Sequence, residues 1–326
     1  MNQPGSEPIP PLWEPKPLTV REESTAEVVS VYEVAPRDGL QAETVVLDTD
    51  LKTEFCERLW ASGVSNLEVT SFVPPAWIPQ LADAEDLAAR LEIPDRNDSA
   101  VALVPNIRGL ERAYAAGFRA VAAVASCTES FARANLNTNA PGTLARVCDI
   151  ASAANSLGIS VRGYLSMAFG DPWEGHVDPA RVADLTATLY EAGCQQIALG
   201  DTIGTATPGH VRAVLRAATS AGVPTSALAL HLHDTYGLAL ANVYSAMEEG
   251  ITTFDASAGG LGRCPYAPGA AGNLATEDLV WLLDGLGVET GINLDDLVAT
   301  SLWFSAQSGR PAPSRVVSAY AARLAV

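Results

Sequence analysis

The sequence predicts an α/β protein, a single (β/α)8 TIM barrel carrying extra C-terminal helices. Three observations point there. From Val28 onward, short β-branched or apolar runs alternate with alanine-rich helical patterns. The runs are apolar on both faces, as strands must be in a parallel sheet covered by helices. There are about eight such units at a spacing of about 30 residues, the count at which a parallel sheet closes on itself. A doubly wound open sheet competes, but it usually has fewer strands and a glycine-rich phosphate loop after the first, and neither is evident.

Taken in order, the expected strands are 28–34, 66–71, 100–104, 120–125, 160–167, 196–199, 227–233 and 252–256. Helical patterns lie between them at 48–62, 81–91, 108–116, 142–157, 178–192, 208–221, 238–249 and 276–286. Two further helical patterns, 293–307 and 315–324, are expected to pack on the barrel. The division is therefore an extended segment 1–25, a barrel 26–290 and C-terminal helices 291–326. Residues 1–25 are rich in Pro and Glu and read as a flexible or draped extension, neither signal peptide nor basic transit sequence.

Composition narrows the function. With 48% hydrophobic and 18% charged residues, 326 residues can bury a large core as one domain. A formal net charge of -18 argues against nucleic acid or an anionic membrane as partner, since both need positive surface. No apolar run approaches the ~20 residues of a membrane helix. The five cysteines, Cys56, Cys127, Cys148, Cys194 and Cys264, are odd in number and form no CxxC pair. They fit neither a disulfide scaffold nor a zinc knuckle, so a reducing, cytoplasmic setting is expected.

A barrel of this kind places its active site at the C-terminal ends of the strands, so unusual polar residues should collect there. They do: Arg37 and Asp38 after the first strand, Glu68, Thr70 and Ser71 at the second, Tyr164 and Ser166 at the fifth, Asp201 and Thr202 at the sixth, and His231 and His233 at the seventh. The glycine-rich loop after the eighth, GGLGRCPYAPGAAGN, adds Cys264 and Asn273.

On a strand, residues two apart share a face, so the imidazoles of His231 and His233 point the same way. With Asp38 and Asn273 they make a mixed oxygen and nitrogen set with open positions, suited to an octahedral Mg2+ or Mn2+. A catalytic zinc usually takes three protein ligands richer in His or Cys. Arg37 adds a fixed charge at the same rim, suited to a developing enolate oxygen and hence to carbon–carbon cleavage beside a carbonyl. Alternation sends Arg37 and Asp38 apart, so the RDG turn must bend, which Gly39 allows. Blander roles compete: Asp38 as a turn cap, Asn273 as an N-cap for the helix that follows, Cys264 as an inert small hydrophobe, and Glu68 as a core charge orienting Arg37. The other four cysteines read as packing.

EVAPRDGLQAE (33–43), HLHDTYGLALAN (231–242) and GLGRCPYAPGAAGNLATED (260–278) resemble the hydroxymethylglutaryl-CoA lyase family, metal-dependent TIM-barrel lyases. The similarity runs on through EVTSFVPPAWIPQLAD, RGYLSMAFGDPWEG and LGDTIGTATPG. The resemblance implies retro-Claisen cleavage of 3-hydroxy-3-methylglutaryl-CoA to acetyl-CoA and acetoacetate, chemistry of leucine degradation and ketone bodies, with a divalent cation. It implies Asp38, His231, His233 and Asn273 as metal ligands, and Arg37 as stabiliser of the acetyl-CoA enolate. It makes Cys264 the loop thiol taking part in proton transfer, and His231 or Asp201 the carrier of the C3 hydroxyl proton. Arg37, Gln41, Ser71, Tyr164 and Thr202 are implied substrate contacts, with Glu68 and Glu277 in support. A homo-oligomer, taken as a dimer, is expected.

The family pattern has Gln at Leu238, Gly at Arg263, and Cys and Tyr at Asp171 and Trp173. Leu238 and Arg263 can reshape the acyl pocket, so a differently branched or citramalyl-CoA-like substrate is the alternative. A condensing synthase of the isopropylmalate type shares RDG and HxH but lacks this cysteine loop and normally adds a regulatory domain. A non-catalytic barrel would have no use for the full set.

Overall fold

The structure is a computed structural model that describes residues 16–41, 43, 45–96, 99–262 and 272–324. The barrel strands are β1 (Ser30–Glu33), β2 (Asn66–Ser71), β3 (Ala100–Leu103), β4 (Ala120–Ser126), β5 (Ser160–Ser166), β8 (Gln196–Asp201), β9 (Leu228–Leu232) and β10 (Thr253–Ala256). They close in the order β1-β10-β9-β8-β5-β4-β3-β2, every pairing parallel. The intervening helices are α1 (Thr49–Ala61), α2 (Ala84–Arg90), α3 (Ile107–Ala115), α5 (Ala140–Ser156), α6 (Pro179–Glu191), α7 (Pro208–Ser220), α8 (Ala239–Glu248) and α9 (Thr276–Gly285). Side-chain oxygens start several of them: Asp48, Asn106, Asn139 and Asp178 accept amides from the first turns of α1, α3, α5 and α6.

The loop following β4 also winds a short helix, α4 (Glu129–Leu136), and the one following β5 holds a hairpin, β6 (Gly170–Asp171) with β7 (Gly175–His176). Neither is expected from periodicity. α4 has eight residues, too few for a clear 3.6-residue pattern. Buried Asp171 holds the hairpin, accepting from Thr128 Oγ1 at 2.6 Å and from the amides of Trp173 and Glu174, and Glu174 in turn accepts the amide of Ser130 in α4.

Strand alternation sorts the side chains into two compartments. Val31, Leu67, Val69, Val161, Leu165, Ile197, Leu199, Leu230 and Phe254 face the helices and join the main core. The opposite faces fill the barrel with small residues, Ala120, Ala122, Ala198 and Ala229, beside Tyr32 and Tyr164. Alanines there leave room for long polar side chains, and Glu68, Arg162 and Asp255 occupy it fully buried or nearly so.

α10 (Leu294–Ser308) and α11 (Arg315–Leu324) complete the fold. The ring of Phe304 stacks on Phe55 of α1 at 4.3 Å, and Ser314 Oγ donates to Asp278 of α9 at 2.7 Å. Residues 16–25 drape along the end of α9, with Val20 and Glu22 amides bonded to the Gly285 and Leu286 carbonyls. No helix among the described residues is long and apolar enough to cross a membrane.

Candidate active site and metal centre

The RDG turn bends by an unusual route. Following β1, Ala35–Gly39 winds one π-helical turn in which a single carbonyl, that of Val34, accepts the amides of Arg37, Asp38 and Gly39. This wide turn lets neighbouring side chains serve one site. Arg37 is 5% exposed and pairs through Nε with Glu68, while its Nη1 donates to Asp38 Oδ1 at 2.6 Å. Gly39 contributes smallness rather than a left-handed backbone: a Cβ there would lie 2.9 Å from Leu261 Cβ and 3.3 Å from Ser257 Oγ. Fully buried Glu33 anchors the turn's base, accepting from the amides of Ala35 and Ala258 and from Thr276 Oγ1.

The two imidazoles converge as the spacing predicts. His231 lies on β9 and His233 just past it, their Nε2 atoms 3.3 Å apart. One ligand atom each from Asp38, His231 and His233 lies within 4.8 Å of the others. His233 and Asn273 form an isolated antiparallel bridge, flanked by Asp234 N to Gly272 O and Leu274 N to Leu232 O. That bridge carries the Asn273 amide to the cluster, where Nδ2 donates to Asp38 Oδ2 at 2.8 Å and to the Leu261 carbonyl at 3.0 Å. Asn273 does not cap α9, whose N-cap residue is Ala275.

The donor set fits a divalent cation. Asn273 Oδ1 is buried without a hydrogen-bond partner, an expensive state for an amide oxygen unless a cation takes it. Two facing imidazole nitrogens beside a carboxylate, with the Asn273 amide bonded to that carboxylate, make a mixed set that a divalent cation accepts.

The electrostatics favour the metal-accepting forms of Asp38 and His233. Burial alone would raise Asp38, but the charges of Arg37 and His231 and the Asn273 hydrogen bond outweigh it, bringing it down to about 2. Burial and the neighbouring His231 push His233 down to about 3, so it is neutral near pH 7. Burial pulls His231 down too, yet Asp255, whose Oδ2 meets its Nδ1 at 3.0 Å, leaves it raised overall. With Nδ1 held by a carboxylate, Nε2 is the nitrogen that faces the cluster, and a cation there would displace any proton it carries.

The remaining expected residues fall at the same rim in different roles. Tyr164 Oη donates to Glu68 Oε2 at 2.6 Å. Ser71 and Thr202 hydroxyls accept the amides of Val73 and Met167, and Gln41 is half-buried just past the RDG turn. Asp201 ends β8 in register with Leu232, but its carboxylate accepts the amides of Thr205 and Ala206; burial raises it to about 6 despite them. Glu277 lies behind the site, accepting from Gly259 N and Ser301 Oγ. Cys264 and Arg263 lie outside the described residues. Cys56, Cys127 and Cys194 are buried, with thiols pushed up by burial, as packing residues should be.

Three residues escaped the sequence reading: Glu33, Arg162 and Asp255. Each is a charge inside an otherwise apolar strand, and that is the signal that marks them.

Comparison with known proteins agrees with the fold. A protein-family model described as HMGL-like matches residues 28–303. A bovine protein named hydroxymethylglutaryl-CoA lyase, mitochondrial, is 44% identical over 308 residues, covering 92% of this chain and 94% of its own length. The crystal structure of hydroxymethylglutaryl-CoA lyase from Pseudomonas aeruginosa superposes with a TM-score of 0.88 at 40% identity, covering 92% of this chain and 99% of that one. An HMG-CoA lyase from Acinetobacter baumannii, solved with coenzyme A and 3-methylmalate, gives 0.84 at 35% identity, covering 92% and 97%.

Proposed function

The chain belongs to the HMGL-like family, and from that premise we propose that it is a carbon–carbon lyase cleaving 3-hydroxy-3-methylglutaryl-CoA to acetyl-CoA and acetoacetate. The observation that carries the proposal is the convergence of Asp38, His231 and His233, with Arg37 bonded to Asp38 at the rim. Asp38, His231, His233 and Asn273 would hold a divalent cation, Mg2+ or Mn2+, which supplies Lewis-acid polarisation of substrate oxygens.

The chain's own residues do the rest. Arg37, held by Glu68 and Asp38, presents a fixed guanidinium to the thioester oxygen as negative charge builds on it. The C3 hydroxyl loses a proton as the bond breaks and the enolate carbon gains one, so the site needs a base and an acid. Both nitrogens of His231 are committed, Nδ1 to Asp255 and Nε2 to the ligand position, which favours Asp201 for the first transfer. Raised by burial to about 6, Asp201 exchanges a proton near neutrality. We assign the second transfer to Cys264. Gln41, Ser71, Tyr164 and Thr202 we place against the acyl group, and Glu277 supports the root of the loop.

The acyl-CoA substrate class gains support from the relative solved with coenzyme A. That protein's second ligand, 3-methylmalate, favours keeping a differently branched hydroxyacyl-CoA as the second reading. We further propose a homodimer and, on the free thiols, a cytoplasmic setting.

The test is a coupled assay for acetyl-CoA release from a panel of 3-hydroxyacyl-CoAs, on chelator-stripped protein with Mn2+ or Mg2+ restored. Fastest cleavage of 3-hydroxy-3-methylglutaryl-CoA, lost on stripping and regained with metal, supports the proposal. Full activity in stripped protein rejects the cation's role, and a preference for another substrate selects the second reading.

A further inference from the structure

Beneath the ion cluster the barrel holds a second cation that is not one of the expected site residues. Arg162 of β5 is 5% exposed. Its Nη1 donates to Tyr164 Oη and to Asp255 Oδ2, both at 2.9 Å, while Nη2 donates to Asp255 Oδ1 and Nε to Gln196 Oε1 at 2.8 Å. Its planar head lies 3.8 Å from the centroid of the Tyr32 ring.

A guanidinium only donates, and that one-way chemistry propagates. Because Tyr164 Oη accepts from Arg162, its single proton goes to Glu68 Oε2. Glu68 then has Oε1 for Arg37 Nε. On the other side Arg162 grips both oxygens of Asp255, which accepts only, so its bond to His231 requires Nδ1 to be the donor and, in the neutral ring, leaves the lone pair on Nε2, facing His233. Two arms leave one fork, one ending on the enolate-stabilising arginine, the other on a metal-binding imidazole.

We propose that Arg162 is the positioning residue of this site, fixing the direction of hydrogen bonding along the Tyr164 arm and the orientation of the Asp255 carboxylate on the other, and so placing Arg37 and His231 together. A lysine could supply the charge but not the planar fork that serves both arms. The inference deepens the proposed function and depends on it for its turnover readout only.

Two quantities test it on the full chain: the Kd for Mn2+ without substrate, read by electron paramagnetic resonance, and kcat at saturating Mn2+ and substrate. Arg162→Lys is expected to weaken Mn2+ binding about 10–100-fold and, with Mn2+ saturating, still to lower kcat about tenfold or more. Tyr164→Phe removes the hydroxyl that starts the Arg37 arm, so kcat at saturating substrate falls while the Mn2+ Kd is unchanged; a change confined to KM would mark Tyr164 as an acyl contact only and overturn that arm. Asp255→Asn removes the carboxylate that joins Arg162 to His231, so the Kd rises, while the Tyr164 hydroxyl and Glu68 remain to hold Arg37 and most kcat returns at saturating Mn2+. Wild-type Kd and kcat in Arg162→Lys overturn the proposal. If that variant does not fold, the single-arm variants decide, and their moving the same readouts overturns it equally. Should the wild type cleave no hydroxyacyl-CoA, the proposed function fails while the Mn2+ readout still judges the His231 arm.

Discussion

At the scale of single residues, the site is a set of charges whose positions are over-determined. Arg37 is buried against Glu68 and Asp38, so its guanidinium cannot follow solvent or swing away. Arg37→Met is expected to lower kcat by about 10²–10³-fold, the usual cost of deleting one transition-state donor. Its Mn2+ affinity should stay near wild type, since Arg37 donates to Asp38 Oδ1 and Asn273 reaches the other oxygen. Near-normal turnover in that variant would remove Arg37 from the chemistry. The convergence of His231 and His233 was legible in the sequence because an HxH pair on a strand leaves little freedom. Asp255 and Arg162 were not, because what makes them partners is the closure of the barrel across 93 positions of chain. No local pattern reports a contact of that separation.

At the scale of elements, the strands were readable almost to their ends because runs apolar on both faces admit few alternatives. The insertions after β4 and β5 were not, since they are short and stabilised by tertiary contacts such as those of Asp171. The π-helical RDG turn was readable only as a need to bend. Its tightness yields a prediction: Gly39→Ala forces a methyl to within 2.9 Å of Leu261 Cβ, so either the turn or the segment after β10 must shift. The expected cost is about 1–3 kcal/mol in stability, with turnover reduced as well, because the displaced turn carries Arg37 and Asp38. Wild-type turnover in a destabilised Gly39→Ala protein would show that the site tolerates a looser turn.

At the scale of the whole molecule, two buried acids join the ends of the barrel to the helices outside it. Glu33 ties β1 to the segment after β10 and to α9, and Glu277 ties α9 to Gly259 and to Ser301 of α10. Burial raises Glu33 to about 7 and Glu277 to about 8, despite the hydrogen bonds each receives. The folded state therefore keeps protons that the unfolded chain gives up near 4.5. That contribution is fully present below the unfolded value and declines as pH rises toward about 8. Asp38, held near 2, acts in the opposite sense but only in acid. Metal-free protein should thus melt at a lower temperature at pH 8.5 than at pH 6. Glu277→Gln should flatten that slope, and an unchanged slope would show that this acid is not the source.

The segment between Gly262 and Gly272 begins and ends at nearly the same point. A Cβ on Gly272 would sit 2.2 Å from the Gly262 carbonyl oxygen, and Asn273 is already stitched to the end of β9. Both glycines are thus fixed to the barrel at one place. Lengthening such a segment costs only a slowly growing closure entropy. A change in length between the two glycines therefore leaves Asn273 where it is, against the end of β9 and Asp38.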